Sequence, residues 1–520
     1  MRLAAKNLFV LGIVVAGLCL RFTALDKKVY WYDETFTSFE VSGYSAPEVS
    51  ADVVTGRLVS ATALEKYQRP APTKSVIDTV RNLIANEPQL TPAYFVLLRW
   101  WSELTPDSIA WIRALSAVFS VATLALVFWL CRELFSASRV AYICVALMAV
   151  SPLHLLYAQE ARPYSMWCAT VLLSSAVLLR AMRKRTAFSW ALYAACAALS
   201  LYTFLLSVLV IAGHACFVAI EERFRVTRTT VAFLASAGAA VLAFLPWPYR
   251  GEHSGAGNEH LTLLRYAVKW ARSIGVLFAD FNLRDYTPRA ALMPYSAVVI
   301  GLIALCGYSI YFVVRNASRR ESAFLVTLMC SVAVPLSLLD LLTGSSLAVV
   351  TRYVFPSLLG LQIAVAYLVN AGVSGDLVPA AGKRAWSWAG GALCGIGLLS
   401  CLAIVRADEW WNKDPDNYIL AASRTINAAH QPLVVSDAWF VFVLALEHRV
   451  GPEVRYQLTI QPRIPTVPED GGTVFVFRPS TELKSDLEKR FSMVLVDSRA
   501  PLWKLAGPAA VAHPNPVDRS

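Results

Sequence analysis

Leu8–Leu25, LFVLGIVVAGLCLRFTAL, is an apolar run that passes directly into Asp26–Glu34, DKKVYWYDE. As a helix the run is long enough to cross the hydrocarbon of a bilayer. Arg2 and Lys6 before it imitate a secretory signal, but no small-residue cleavage site follows, so it reads as a retained anchor. Just beyond it Asp33 and Glu34 stand beside Tyr30, Trp31 and Tyr32, ahead of a polar stretch of more than fifty residues. Carboxylates at a membrane surface, fenced by aromatics, suit chemistry on a lipid-borne substrate. A solvated loop start with an aromatic anchor has the same composition, and both readings stand at this point.

The whole chain agrees with a membrane protein. Of 520 residues 57% are hydrophobic and only 16% charged, with many apolar runs of spanning length. The net charge of +11 does not point to nucleic acid, because the basic residues collect in short linkers between apolar runs. All ten cysteines lie in or beside apolar segments, with no C-x-x-C pair, so neither a disulfide framework nor a thiolate metal site is expected.

Apolar spans run at about 8–25, 109–131, 139–157, 164–182, 186–203, 204–220, 229–247, 292–314, 322–342, 348–372 and 387–405. With the N-terminus in the cytoplasm, five basic linkers fall inside: Arg132/Arg139, Arg183–Arg185, Arg223/Arg225/Arg228, Arg315/Arg319/Arg320 and Lys383–Arg384. The expectation is a mainly α, polytopic plasma (inner) membrane protein of about eleven helices over 1–405. The stretch 92–104 is too short to cross and carries Arg99, so it reads as interfacial or re-entrant. Outer loops fall at 26–108 and 248–291. Val76, Ile77, Val80, Leu83 and Ile84 in the first, and Leu264, Ala267, Val268, Ala271 and Ile274 in the second, have the spacing of helices lying on the membrane or on neighbouring protein.

From about 406 to 520 the composition shifts to that of a small extracytoplasmic α/β domain. Strands are expected at 432–435, 473–477 and 493–496, and helices at 418–429 and 481–491. Neither a Gly-rich phosphate loop nor clustered metal ligands are present, and Asp437 and His448 read as surface or cap residues.

Under this topology the charges in or beside spans share one depth. Arg21, Arg113, Asp340, Arg352 and the loop Tyr157–Tyr164, with Glu160 and Arg162, all lie toward the outer face, with Asp33 and Glu34. Charge inside hydrocarbon costs roughly 2.5–3.5 kcal/mol on insertion scales, so such placement needs a reason. Snorkelling explains a lone arginine; it accounts less well for carboxylates of two loops beside several arginines. A carboxylate can take a proton from an attacking hydroxyl, and guanidinium groups can hold a phosphate by charge-assisted, often bidentate bonds. That mixture suits displacement of a phosphate leaving group by an acceptor at the outer surface.

Asp33-Glu34 after the first span, Gln159-Glu160-Ala161-Arg162-Pro163-Tyr164, and Arg352-Tyr353 with Pro356 together resemble motifs of the C-type membrane glycosyltransferases. The nearest likeness is to their protein O-mannosyltransferase and aminoarabinose-transferase-like branch, over roughly residues 1–370. This resemblance implies a polyprenyl-phosphate-linked sugar donor and transfer on the extracytoplasmic face, with an acidic first-loop residue as base. It nominates Asp33 as base, Glu34 as its neighbour, Glu160 as a second-loop catalytic residue, and Arg162, Tyr164, Arg113, Arg352 and Tyr353 as substrate-binding residues. Many relatives have a His-Pro-Pro-Leu-Tyr-like stretch where this chain has Leu90-Thr91-Pro92-Ala93-Tyr94, so no metal ligand is carried over and a divalent cation stays an open requirement. The expected enzyme is a hexosyl- or pentosyltransferase acting on a protein, lipid or glycan acceptor among membrane lipids. Two other classes compete: a flippase of lipid-linked sugars, which would place charges or broken helices at mid-membrane, and an envelope-assembly scaffold acting through 406–520.

Overall fold

The computed structural model describes residues 2–247, 261–283, 289–375, 380–460, 472–497 and 500–508. The chain divides into two compact units, one of Met1–Lys27, Leu83–Trp101 and Ser108–Ala407, the other of Lys28–Asn82, Ser102–Asp107 and Asp408–Ser520.

The first unit is helical. Every apolar run expected to span corresponds to a helix or, at 139–157, to a pair of helices. Among the described residues, six helices can cross a membrane by length and composition, seven when the bent pair is taken as one span. Four more, Leu8–Arg21, Ala187–Thr203, Ser207–Glu221 and Arg228–Phe244, are apolar but shorter, so the expected count of about eleven rests on them. The short helix Ala93–Leu104 buries Tyr94, Phe95, Leu98 and Arg99, whereas Leu263–Gly275 exposes Leu263, Leu264 and Val268. That second helix has the unpartnered apolar face of a surface-lying helix.

The run 139–157 is not one straight helix. Ser138–Ala149 and Pro152–Ala158 meet at 59°. Pro152 has no N–H to give and its ring clashes with the preceding turn, so the ladder stops there. The break frees carbonyls that hydrocarbon cannot solvate. Arg21, fully buried, takes them: its guanidinium donates to the carbonyls of Ala149 at 2.6 Å and Met148 at 3.0 Å, to Gly17 at 2.7 Å, and through Nε to Ser120 Oγ at 2.9 Å. Leu153 N–H finds the carbonyl of Val276 at 3.0 Å, and Ser151 Oγ that of Leu277 at 2.7 Å. Arg21 therefore does not snorkel; it caps a broken helix. His154 and His214 are likewise spent internally, the first on Gln362 and the second on Ser175 and Tyr193.

The second unit holds one mixed sheet in the order β1-β3-β2-β4-β6-β5. The strands are β1 (Leu58–Ser60), β2 (Leu433–Ser436), β3 (Arg455–Leu458), β4 (Val474–Phe477), β5 (Phe491–Asp497) and β6 (Ala500–Pro508). β3, β2 and β4 are parallel, and β1, β6 and β5 join antiparallel. β2 and β4 are buried throughout, as parallel strands covered on both faces must be. Leu433, Val435, Val474 and Val476 pack with Leu483 and Leu487 of the helix Thr481–Glu488. β3, β6 and the helix Phe440–Glu447 add to the elements expected from sequence, and β1 brings residues of the 26–108 loop into the sheet.

Glu447 ends the helix Phe440–Glu447 at 6% exposure. Burial, reinforced by the charge of Glu65 and opposed by Arg69, pushes its carboxyl up to about 8. The fold thus prefers the protonated acid, so its contribution is complete below about pH 4.5 and is lost as pH rises through 8. Across that window each pH unit removes up to about 1.4 kcal/mol. Thermal unfolding followed from pH 5 to 9 should show a falling Tm that flattens in Glu447→Gln; identical profiles would contradict the assignment.

Candidate active site

In the first unit the loop 159–163 is fixed from several sides. Gln159 Nε2 donates to the carbonyls of Leu20 at 3.0 Å and Thr23 at 2.9 Å. Ser165 Oγ reaches back to the carbonyl of Tyr157 at 2.8 Å, and Ser116 Oγ to that of Arg162 at 3.3 Å. Glu160 and Arg162 are thereby held buried, at 1% and 6% exposure.

Tyr164, at the start of the helix Tyr164–Lys184, has two guanidinium groups on its ring. Arg162 lies 6.0 Å from the centroid and Arg352 5.6 Å; Arg352 also lies 5.7 Å from the ring of Tyr353. Phe204 meets Tyr164 edge-on at 5.8 Å and lies tilted against Tyr353 at 6.1 Å, while Tyr157 packs on Tyr164 at 5.2 Å. The structure therefore gathers Arg162, Tyr164, Arg352 and Tyr353, with Glu160 in electrostatic range of Tyr157 beside Arg352 and Tyr164.

Asp340 sets the segment that delivers Arg352. Its carboxylate accepts from the backbone N–H of Leu347 and Ala348, both at 2.8 Å, from Ser345 Oγ at 2.6 Å and from Tyr266 at 3.1 Å. It is a loop organiser. Arg113 is fully buried and donates to the carbonyl of Leu25 at 2.5 Å. Arg272, near the end of Leu263–Gly275, shares the electrostatic surroundings of Tyr157 with Arg352 and Glu160. Sequence reasoning passed over it because it sits on a helix read only for its apolar face. Arg272 also shares the surroundings of Tyr295 with the buried Asp280, so acids and arginines mix here, and guanidinium forks suit phosphate oxygens.

Asp33 and Glu34 belong to the second unit. They lie in the first turn of the helix Tyr32–Ser42, where the helix dipole favours negative charge. Their aromatic neighbours are not an exposed belt: Tyr30 and Trp31 are buried, Tyr30 meets His448 edge-on at 4.7 Å, and Tyr32 stacks on Phe442 at 4.7 Å. Glu34 is fully buried and paired with Lys413 Nζ at 2.5 Å, which also donates to the carbonyl of Val29 at 3.0 Å. Asp33 is only partly buried and lies in electrostatic range of Asp416. Asp416 accepts the N–H of Tyr32 at 2.6 Å, and burial raises its carboxyl above the ordinary range. No local signal joins residues this far apart in sequence. Among the described residues no group of three or more His, Cys, Asp or Glu is placed to hold a metal ion.

Residues 87–249 match the family described as dolichyl-phosphate-mannose-protein mannosyltransferase, a narrower span than 1–370 but one containing Arg113, Glu160, Arg162 and Tyr164. The fold is similar to that of ArnT from Cupriavidus metallidurans bound to undecaprenyl phosphate, with a TM-score of 0.50 and 12% identity over 98% of this chain and 99% of that one. The resemblance to C-type membrane glycosyltransferases holds. A further likeness, to the Archaeoglobus fulgidus oligosaccharyltransferase in its apo form, has a TM-score of 0.48 and 11% identity over 96% of this chain and 75% of that one. No curated protein matches the chain. The likeness to the Cupriavidus protein is one of fold, in keeping with the several apolar helices of spanning length among the described residues.

The Lys413–Glu34 pair is open to a direct test. Lys413→Met takes the cation away from a buried carboxylate and should cost about 3–5 kcal/mol, whereas adding Glu34→Leu should recover most of it. Denaturant melts of the solubilised protein measure both; a single variant as stable as wild type would contradict the pairing.

Proposed function

We propose that this protein is a glycosyltransferase that moves a hexose or pentose from a polyprenyl-phosphate donor to an acceptor hydroxyl on the extracytoplasmic face of the plasma membrane. Tyr164 flanked by Arg162 and Arg352 carries the reading, because cations gathered around one ring suit an anionic partner. Arg162, Arg352 and Arg272 are assigned to the donor phosphate, and Tyr164 and Tyr353 to orienting it. Arg113, buried near the start of Ile109–Leu134, is assigned to supporting that region.

Asp33 is assigned as the base. It accepts the proton of the acceptor hydroxyl as the new bond forms at the anomeric carbon. The old carbon–oxygen bond breaks and its electron pair leaves with the phosphate oxygen. Glu34, already paired with Lys413, keeps the helix start in place, and Glu160 orients Arg162 of its own loop. The match of residues 87–249 to a mannosyltransferase family and the undecaprenyl phosphate named with the Cupriavidus protein support the donor class.

Membranes given a labelled polyprenyl-phosphate sugar should transfer label to an acceptor. Asp33→Asn should reduce that transfer by about 10²–10⁴-fold while the protein still inserts and binds donor. Arg352→Ala should instead weaken donor binding more than acceptor binding in a lipid-donor titration. Full transfer by Asp33→Asn would remove Asp33 from the mechanism, and an unchanged donor affinity in Arg352→Ala would remove Arg352 from phosphate binding.

A further inference from the structure

A second candidate site lies in the first unit at the opposite helix ends from the arginine–tyrosine cluster. The helix Phe355–Ser374 separates them, with Asn370 roughly 22 Å along the axis from Phe355 at 1.5 Å per residue. There a cavity of about 420 Å³ opens between the ends of Ile109–Leu134, Arg289–Asn316 and Phe355–Ser374 and the start of Arg319–Thr343. That volume lies within the range of small-ligand sites. Phe135, Phe312 and Tyr367 form its aromatic wall, Tyr367 stacked on Phe135 at 5.2 Å and tilted against Phe312 at 6.0 Å. Asn370 lines the same cavity at 7% exposure, and its Oδ1 is buried with no hydrogen-bond partner. Leaving such an atom unsatisfied is costly, and an N–H donor entering the cavity would satisfy it. At the mouth stand Ser136 and Glu321, the latter already capping its own helix through Ser318.

A carboxylate, a buried amide oxygen and three ring faces together favour a cation that carries N–H groups. The surroundings say where that cation comes from. Arg132, Arg139, Arg315 and Arg319, next to the lining segments, are exposed and suit a phosphate just outside the mouth. The helix Arg289–Asn316 exposes Tyr308, Tyr311 and Val314, an apolar track for acyl chains. These linkers are the basic ones that sequence analysis assigns to the cytoplasm. We propose that this cavity binds the primary ammonium headgroup of an aminophospholipid of the cytoplasmic leaflet, with the ammonium against Asn370 and Glu321 and the phosphate toward the arginines. The assignment is independent of the proposed transfer reaction.

Full-length protein in nanodiscs of phosphatidylethanolamine should unfold at higher temperature than in nanodiscs of phosphatidylcholine, whose quaternary ammonium has no N–H to donate. Short-chain phosphatidylethanolamine, titrated into detergent-solubilised protein, should bind at least tenfold more tightly than the choline lipid. Glu321→Gln keeps the helix cap but removes the charge, and Asn370→Leu removes the amide; each should abolish the preference without lowering the Tm in phosphatidylcholine. Equal behaviour in the two lipids, or a preference that survives both substitutions, would overturn the site. Phosphoethanolamine alone, titrated in parallel, should bind much more weakly; equal binding would overturn the lipid as its source.

Discussion

Arg21 is the constraint on which the first unit turns. A helix broken at Pro152 inside a membrane protein leaves carbonyls that lipid cannot solvate, and an unsatisfied backbone group there costs several kcal/mol. Arg21 offers its donors to those carbonyls and to Ser120, joining the first helix to the break and to Ile109–Leu134. Gln159 then ties the following loop back to the carbonyls of Leu20 and Thr23. The first helix is therefore a template as well as an anchor: it fixes the bend, and the bend fixes where Glu160, Arg162 and Tyr164 stand.

Charge in the two units is handled in different ways. Glu34 and Lys413 neutralise each other completely inside the second unit, and such a pair specifies geometry more than it adds stability. Around Tyr164 the balance is different, since Arg162 and Arg352 share one ring with Glu160 nearby. Ring faces offset part of the desolvation of the guanidinium groups. Asp33, in the first helical turn beside Asp416, has surroundings that differ from those of its neighbour Glu34. Adjacent carboxylates thus stand in different environments.

Much of this could be read from the sequence, for local reasons. Apolar runs mark helices whatever they pack against, so each run found its helix, and β2 and β4 declared themselves as short unbroken apolar stretches. Clustering of Arg162, Tyr164 and Arg352 followed from their shared depth. What was hidden depends on distant partners. β3 begins Arg455-Tyr456-Gln457 and carries no apolar run, and β1 is three residues whose only strand signal is their pairing with it. The fate of Glu34 is decided by a lysine hundreds of residues away, and the burial of Tyr30 and Trp31 by the domain that covers them. Pro152 was visible, but the bend it causes needed Arg21 to be tolerated.

The central claim is that the guanidinium groups around Tyr164 are the seat of a lipid phosphate. The most direct measurement is a cryo-EM structure of the full chain in nanodiscs with a non-hydrolysable polyprenyl-phosphate sugar. The account predicts phosphate density within roughly 3 Å of the Arg352 and Arg162 nitrogens. Phosphate density seated elsewhere, with both guanidinium groups free of it, would contradict the account.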